Sequence, residues 1–520
     1  MKRSIVVWTL TLLVLVPGAL AAQSAQATAT TVDRELHLFD AEEFGIDPAE
    51  VTYTKDIAPI LQRSCMNCHR EGGAAPMAFD TYEQVRPWAQ MIKFRTAIRD
   101  RMGAMPPWYV EKDIGIQHYK QDPSLSDEEL ARIQAWVDNG APEGDPADLP
   151  PQKEFAAGDE WRIDPDVIVE SEEIFMEGGA PDWWGEIPSI PIPLEEDRYV
   201  KAVEIREIND VPAAGSGKAT VGGRFIVHHM IWRTQNPETG QTTSWPVHEV
   251  GRNPDLFDDD AGRLLRAGSE IASESVHLHS SGVDTRARLQ IGFELFPKGY
   301  EPKYEGSITA LANGSDIDVE ANEDDQELHA YSVVHRPTKI ISFEPHLHAP
   351  GERMCLEMIW GFKSETLSCV GYDHNWVRTY VFADDYQPLV PPGAILHVVG
   401  YFDNTEANAN VPDPRNWQGS GNRSVSNMFI DLGERVTMTP EQFAEEVEER
   451  VEKFGLTKND YMIGCPMCLA LVPTPGPKPS DSYELPDEER VGQRAADETF
   501  DPERSSGVES RANDTRGGGR

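Results

Sequence analysis

Apolar residues between positions 50 and 150 recur every three or four positions, which is the period of amphipathic helices. One stripe leads into Cys65, and a second follows Ser126 and Glu129, which have the spacing of a helix-capping box. Gly140 stands where the second helix would end. The two stripes consist of Ile57, Ile60 and Leu61, and of Leu130, Ile133, Trp136 and Val137. This pattern predicts a small all-α domain over residues 50–150.

After position 150 the pattern changes to short runs that are rich in β-branched and aromatic residues and separated by Gly, Pro, Asn and Asp. These runs include 224–232, 286–294, 339–343 and 394–402. An acidic, polar stretch at 313–327 divides them, which predicts two consecutive all-β sandwiches over 165–315 and 325–473. One helix is expected within the second sandwich, because Thr439 and Pro440 form a start signal and Gly455 a stop signal.

The two ends of the chain differ from its middle. Lys2 and Arg3 precede an apolar run and the small-residue stretch Ala19-Leu20-Ala21, so residues 1–22 are predicted to be a cleavable secretory signal. Later segments fall short of the roughly 20 apolar residues that a membrane helix needs, so no membrane span is expected after cleavage. Residues 474–520 lack periodicity and are predicted to form a disordered acidic tail. The expected location is periplasmic or secreted.

Length and charge limit the partners. The chain has 520 residues, enough for two or three domains, and its 88 acidic and 47 basic residues give a formal net charge of −41. This excess repels nucleic acid and anionic membranes, and it favours a cationic redox partner or simple solubility.

The pentapeptide Cys65-Met66-Asn67-Cys68-His69 has the spacing of a covalent haem site, with two thiols for thioether bonds and an imidazole for the iron. The alternative is a disulfide or zinc pair beside an unrelated His. Met105, in the proline-flanked loop 103–108, is predicted to be the sixth iron ligand. Other possible ligands are Met77, Met91, Met102 and His118. This segment resembles the class I cytochrome c fold, which implies one covalent haem c.

Histidines cluster at three places in the strand-like region. They form the groups His228-His229, His277 with His279, and His346-Leu347-His348. Paired histidines on strands that otherwise favour Val and Ile indicate metal binding. Alternate residues of a strand share a face, so His346 and His348 can chelate one ion. The adjacent pair His228 and His229 would point to opposite faces, so joint binding requires a bulge or a strand end.

The order of these motifs is similar to that of the copper type II, ascorbate-dependent monooxygenases, the family of peptidylglycine and dopamine β-monooxygenases. The matching motifs are Val227-His228-His229-Met230, Val276-His277, Pro345-His346-Leu347-His348-x-x-Gly351 and Met428. The resemblance implies two jelly-roll-type sandwiches, each holding one copper across a solvent-filled gap. It implies that His228, His229 and His277 hold the first copper, with His279 as an alternative to His277. It further implies that His346, His348 and Met428 hold the second, catalytic copper.

Two departures from the family pattern concern the surroundings of the second copper. Met428 follows Ser426-Asn427, where bacterial relatives tend to have an acidic pair, and His348 is followed by Ala349-Pro350, where a basic residue is more usual. These changes bear on substrate contacts and ligand orientation more than on copper binding itself.

The expected function is that of an exported haem–copper monooxygenase. Dioxygen would hydroxylate a small organic or peptidyl substrate, with electrons passing from the haem to two mononuclear copper sites. The external electron donor would be a redox protein or ascorbate. The alternative is a non-catalytic periplasmic electron-transfer or copper-binding protein. The substrate stays open, because a fold does not transfer specificity.

Four cysteines lie outside the haem motif. Cys355 and Cys369 flank a possible hairpin and are expected to form a structural disulfide. Cys465 and Cys468 are expected to do the same, although a redox pair or a soft-metal site is the alternative.

Overall fold

The computed structural model describes residues 36–468 except 72–74, 76, 153–160, 212–224, 251, 253, 309, 315, 375, 422–425 and 458–459. The predicted signal segment 1–22 and the predicted tail 474–520 lie outside the described residues. Among the described residues, none of the helices has the length and apolar character required to cross a membrane.

The N-terminal segment is helical, as its apolar period predicts. Its α-helices are α1 (Ala58–Ser64), α2 (Tyr82–Val85), α3 (Ala89–Ile98) and α4 (Asp127–Asp138). Short 3-10 turns cover Ala41–Phe44, Pro48–Glu50, Arg86–Trp88 and Pro146–Asp148, and a π turn covers Tyr53–Ile57. The Ser126–Glu129 capping box starts α4, and Gly140 follows its end with φ 85°. Both predicted stripes are buried in one core.

The rest of the described chain is mostly antiparallel β-structure, so the predicted change of pattern is confirmed. The first sandwich, as we name it, consists of β1 (Val167–Glu170), β2 (Ile174–Met176), β3 (Trp183–Gly185), β4 (Ile190–Pro191), β5 (Arg198–Asn209), β6 (Val227–Gln235), β7 (Thr242–Ser244), β8 (His248–Glu249), β9 (Asp255–Leu256), β10 (Arg263–Leu265), β11 (Glu270–Leu278) and β12 (Thr285–Leu295). One sheet has the order β1-β12-β5-β10 and the other β3-β11-β6-β7. Apolar side chains between the sheets form a common core.

The second sandwich consists of β13 (Glu305–Ile308), β14 (Leu311–Ala312), β15 (Gln326–Val333), β16 (Thr338–Ile340), β17 (Ser342–Phe343), β18 (Pro345–Leu347), β19 (Gly351–Trp360), β20 (Lys363–Gly371), β21 (Tyr380–Val381), β22 (Leu389–Val390), β23 (Ile395–Phe402), β24 (Phe429–Asp431) and β25 (Glu434–Thr437). Its largest sheets have the orders β13-β25-β16-β22 and β15-β23-β19-β20. Because β13 pairs with β25, the second sandwich begins at β13, before the acidic stretch 313–327 that was expected to divide the two sandwiches. A 3-10 turn covers Asp384–Tyr386.

The predicted late helix and both predicted disulfides are present. Helix α5 (Pro440–Phe454) begins with a capping box formed by Thr439 and Gln442, and Gly455 ends it with φ 60°. Cys355 and Cys369 lie directly opposite each other on β19 and β20 and are bonded. The bonded pair Cys465–Cys468 packs near α5, in and just before the 3-10 turn Pro466–Cys468.

The segment between α3 and α4 belongs to the core of the second sandwich. Trp108 is buried there, Val110 bridges to Val370, and Tyr119 bridges to Phe382. This strap, residues 108–120, therefore joins the helical segment to β20 and β21. Ion pairing of Glu111 with Arg353 adds a charged contact at its start.

Buried charges join the two sandwiches. The guanidinium of Arg252 donates two hydrogen bonds to Glu344 of the second sandwich, at 2.6 and 2.7 Å, and also binds Asp255. Lys339 lies 3.6 Å from Asp258, and Arg263 lies 3.6 Å from Glu434. These pairs fix how the sheets of one sandwich face those of the other.

We expect Arg252→Met to lower the free energy of unfolding by roughly 3–5 kcal/mol, because it leaves the buried Glu344 carboxylate without its cation. Arg415→Met is the control, since Arg415 pairs with Asp413 on an exposed surface and its replacement should change the free energy of unfolding little. Chemical denaturation measures both. Equal, small effects would contradict the role of Arg252.

The pKa of Glu434 implies a pH dependence of stability. Burial, together with nearby Asp258 and Asp255, raises this pKa from 4.5 to about 7 despite Arg263. The folded protein thus keeps a proton that the unfolded chain loses, so this group makes stability fall as pH rises from about 4.5 to about 7. Glu434→Gln should flatten that part of the curve of unfolding free energy against pH. An unchanged slope would show that Glu434 ionises normally.

Candidate metal centre

The first histidine pair lies on β6, next to β11. His277 pairs with His229, but the following Leu278 pairs with Val227, so the ladder skips His228. This register shift is the bulge that joint binding by adjacent histidines requires. It allows His228 and His229 to approach His277 together, at ring-centroid distances of 5.3 and 5.0 Å.

His279 lies beside these three histidines, and we call His228, His229, His277 and His279 the first set. The ligand atoms of His228, His277 and His279 all lie within 4.8 Å of one another. The ring of His279 is 4.2 Å from that of His228 and 4.3 Å from that of His277. The structure therefore brings together both histidines that the sequence left as alternatives, while His229 lies at the side, its Nδ1 3.4 Å from that of His228.

Burial keeps the imidazoles of His228 and His277 neutral. It lowers the pKa of His228 well below the ordinary value, and the neighbouring imidazoles lower it further. The pKa of His277 is lowered by the same cause. Nε2 of His228 and Nδ1 of His277 are buried without a hydrogen-bond partner. Neutral imidazoles with unused nitrogens suit a borderline cation such as copper or zinc.

Asp182 and Trp184 complete the surroundings of the first set. The Asp182 carboxylate lies 3.2 Å from Nε2 of His277 and 3.3 Å from Nε2 of His279, and bonds from these imidazoles hold its pKa far below normal. Trp184 stacks on His277 with a centroid distance of 4.0 Å. Neither residue belongs to a sequence motif, so neither was predicted.

The second set, which consists of His346, His348 and Met428, lies at β18 and β24. The Ser426 carbonyl, 2.9 Å from Nδ1 of His348, can only accept, so the proton is on Nδ1 and the lone pair on Nε2. Phe429 pairs with Leu347, so the next positions of this antiparallel ladder are Met428 and His348. Met428 is half-buried there. His348 and Met428, which are predicted to share an ion, thus each follow or precede the last pair of this ladder by one residue.

Glu249 links this second set to the first sandwich. Its carboxylate accepts a hydrogen bond from Nδ1 of His346 at 2.5 Å, and it lies opposite His229 in the β6–β8 pair. Burial lowers the pKa of His346, but the Glu249 charge outweighs it, so that the pKa is raised. With Nδ1 protonated, His346 offers Nε2 to a metal, which is the geometry of a carboxylate–histidine–metal triad.

The two sets are in contact. His229 and His346 have ring centroids 6.4 Å apart, and His374 lies between the sets, 5.0 Å from His228 and 5.8 Å from His348. The family resemblance implies a gap between the two coppers, whereas this structure joins their ligands into one cluster. His374, a lone histidine in the sequence, was not predicted.

The haem motif lies at the end of α1. Cys65 and Cys68 are unpaired thiols, and burial raises the pKa of Cys65 to about 12. The carbonyl of Met77 accepts a hydrogen bond from Nδ1 of His69 at 3.2 Å, which leaves Nε2 for an iron, and Phe79 stacks on the His69 ring at 4.5 Å. Two thiols and an oriented imidazole fit the chemistry of a covalent haem.

The sixth iron ligand stays a prediction. Met105 is 41% exposed on its loop and Met91 47% exposed on α3. Met77 packs on the helical core, Met102 accepts a hydrogen bond from Asn410 at 3.0 Å, and His118 stacks on Tyr386.

We expect Glu249→Gln to weaken copper binding by His346 and His348 by about 10- to 100-fold, because the ring loses the charge that orients it. Competitive copper titration measures the affinity. Glu434→Gln is the matched control, since Glu434 is also buried between the sandwiches but makes its ion pair with Arg263. A similar affinity in both variants would contradict a positioning role for Glu249.

Comparisons with known proteins leave the family open. The sequence matches no family of known proteins and no curated protein. Solved structures similar to part of it include the tandem CBM22 domains of Paenibacillus barcinonensis Xyn10C, at 10% identity and TM-score 0.15, covering 53% of this chain and 98% of that one. The T13 particle of the virus IBDV gives 8% identity and TM-score 0.16 over 54% of this chain and 70% of that one. Such low scores transfer neither fold nor function.

Proposed function

We propose that this protein is an exported haem–copper monooxygenase that uses dioxygen to hydroxylate a small organic or peptidyl substrate. The observation that carries the proposal is the buried histidine cluster, in which His228 and His277 keep nitrogens without hydrogen-bond partners. Buried polar atoms in native proteins are rarely left unsatisfied, and a bound cation accounts for several of them at once.

Hydroxylation of a C–H bond by dioxygen consumes two electrons and two protons and yields one water. When bound, copper supplies one-electron chemistry toward dioxygen, and haem c supplies the electrons. The external electron donor would be a redox protein or ascorbate. The acidic chain favours a cationic partner and disfavours nucleic acid.

The residues of this chain divide the work by position. His228, His277 and His279 would hold the copper that receives electrons, with His229 beside them. His346, His348 and Met428 would hold the copper at which the substrate reacts. The Ser426 carbonyl keeps the proton of His348 on Nδ1, and Glu249 does the same for His346, so the lone pair of each ring is on Nε2. Cys65, Cys68 and His69 would hold the haem, with Met105 as the proposed sixth ligand.

Two disulfides fit an oxidising compartment, which supports a periplasmic or secreted location. Covalent haem attachment in bacteria takes place in the same compartment. Copper loading and electron donation would then occur outside the cytoplasm.

A second function is favoured by the contact between the two ligand sets. Rings 6.4 Å apart at His229 and His346 leave less room for a substrate than separated sites would. A non-catalytic copper-binding or electron-transfer protein would need no such room. Dioxygen consumption coupled to oxidation of the reduced haem distinguishes the two functions, because only the monooxygenase requires it.

We expect two coppers for each haem iron in protein matured with haem and loaded with copper. Replacing His346 and His348 together by Ala should leave one copper, because only the first set then keeps its imidazoles. Elemental analysis measures both ratios. His329→Ala with His335→Ala is a control that removes two exposed histidines elsewhere on the second sandwich. One iron without stoichiometric copper would overturn the proposal.

A further inference from the structure

His374 is a half-buried histidine that no predicted site uses. It follows β20 by three residues, and both of its ring nitrogens are buried without a hydrogen-bond partner. A buried polar atom without a partner destabilises the fold, and an imidazole normally satisfies at least one nitrogen. A side chain kept in this state indicates a ligand that satisfies it.

The backbone around His374 is held in place from several sides. The hydroxyl of Tyr372 donates to the carbonyl of Leu347 at 2.5 Å, which ties this loop to the strand of the second histidine set. The hydroxyl of Tyr109 donates to the Asp373 carboxylate at 3.3 Å, and the amide of Trp376 donates to the Asp373 carbonyl at 2.9 Å. The position of His374 near the cluster is therefore built into the packing.

The neighbours of His374 belong to both sets, and they differ in the hydrogen bonding of their ring nitrogens. His228, at 5.0 Å between ring centroids, has a buried Nε2 without a partner. His348, at 5.8 Å, already has its Nδ1 bonded to Ser426. Two imidazoles that bind one ion at about 2 Å have centroids roughly 4 to 6 Å apart. Both neighbours lie in this range, and His228 is the nearer.

We propose that His374 is a ligand of the ion held by His228, His277 and His279, and that this ion thereby joins the two sandwiches. Three of the four imidazoles come from the first sandwich and the fourth from the second. The ion would be one that prefers imidazole nitrogen, with copper as the first choice and zinc as the second. This inference rests on the metal binding of the proposed function, and it adds a ligand and a structural consequence to it.

The test uses the full-length haem protein in which His346 and His348 are both replaced by Ala, so that only the first set binds copper. In this background, His374→Phe should weaken copper binding by at least about 10-fold, as loss of a ligand does. Pulsed EPR of the Cu(II) protein should count one coordinated imidazole fewer. Copper should also raise the melting temperature less in the variant, because the ion no longer ties the sandwiches together.

His397→Phe is the matched control. His397 is another histidine of the second sandwich with ring nitrogens inside the fold, but it bonds to His329 at 3.0 Å and to Glu357 at 2.9 Å. It should leave copper affinity and the EPR spectrum unchanged. His374→Gln, which keeps a polar side chain of similar length, provides a second variant if the Phe variant does not fold.

The results of this test distinguish failure of the inference about His374 from failure of the proposed function. Unchanged affinity and imidazole count in the His374 variants would overturn the inference while leaving the first copper site intact. A loss that appears only when His346 and His348 are present would also overturn it, because His374 would then serve the second set. If the His346/His348 background binds no copper at all, the proposed function itself fails, and elemental analysis reveals this before His374 is changed.

Discussion

The buried ion pair between Arg252 and Glu344 is the interaction on which the site depends. It joins a loop of the first sandwich to the strand region that leads into β18, and Thr379 donates a further hydrogen bond to Glu344 at 3.0 Å. Arg252 follows Glu249 by three positions, and His346 follows Glu344 by two. The pair therefore sets the distance at which Glu249 meets His346.

Holding these charges out of water is expensive, so the pair is better understood as an alignment device than as a source of net stability. An apolar contact of the same size could slide or rotate, whereas a two-pronged guanidinium–carboxylate contact has one preferred geometry. The second carboxylate on Arg252, that of Asp255, comes from the same sandwich and fixes the orientation of the cation. Alignment to within hydrogen-bond distance is what a metal site shared between two bodies needs.

The histidine cluster is locally destabilising. Several neutral imidazoles are packed against one another in a buried region, where burial lowers the pKa of His228, His229 and His374 well below normal. Unused nitrogens in such a place cost free energy that the surrounding sheets must offset. The strap 108–120 contributes to that support, because it packs into the core of the second sandwich and its Tyr109 anchors the loop that carries His374. The same strap brings the segment with the haem motif next to the second sandwich.

Local patterns in the sequence determined the parts of this protein that depend on near neighbours. The capping boxes and following glycines of α4 and α5, the change from helical to strand periodicity, and the pairing of Cys355 with Cys369 depend on residues less than about 15 positions apart. The bulge at His228 was predictable as a requirement, since adjacent residues of a regular strand cannot share a face. The histidine motifs likewise indicated metal binding without any knowledge of the fold.

Tertiary structure alone decided which groups surround those histidines. Asp182, Glu249 and His374 carry no motif, and each reaches the cluster from an element distant in sequence. The contact between the two ligand sets depends on how the sandwiches dock, which the buried charges decide and periodicity does not encode. The period of a strand predicts which face of the sheet a side chain occupies. It does not predict which residues that face contacts, because those contacts depend on the packing of whole sheets.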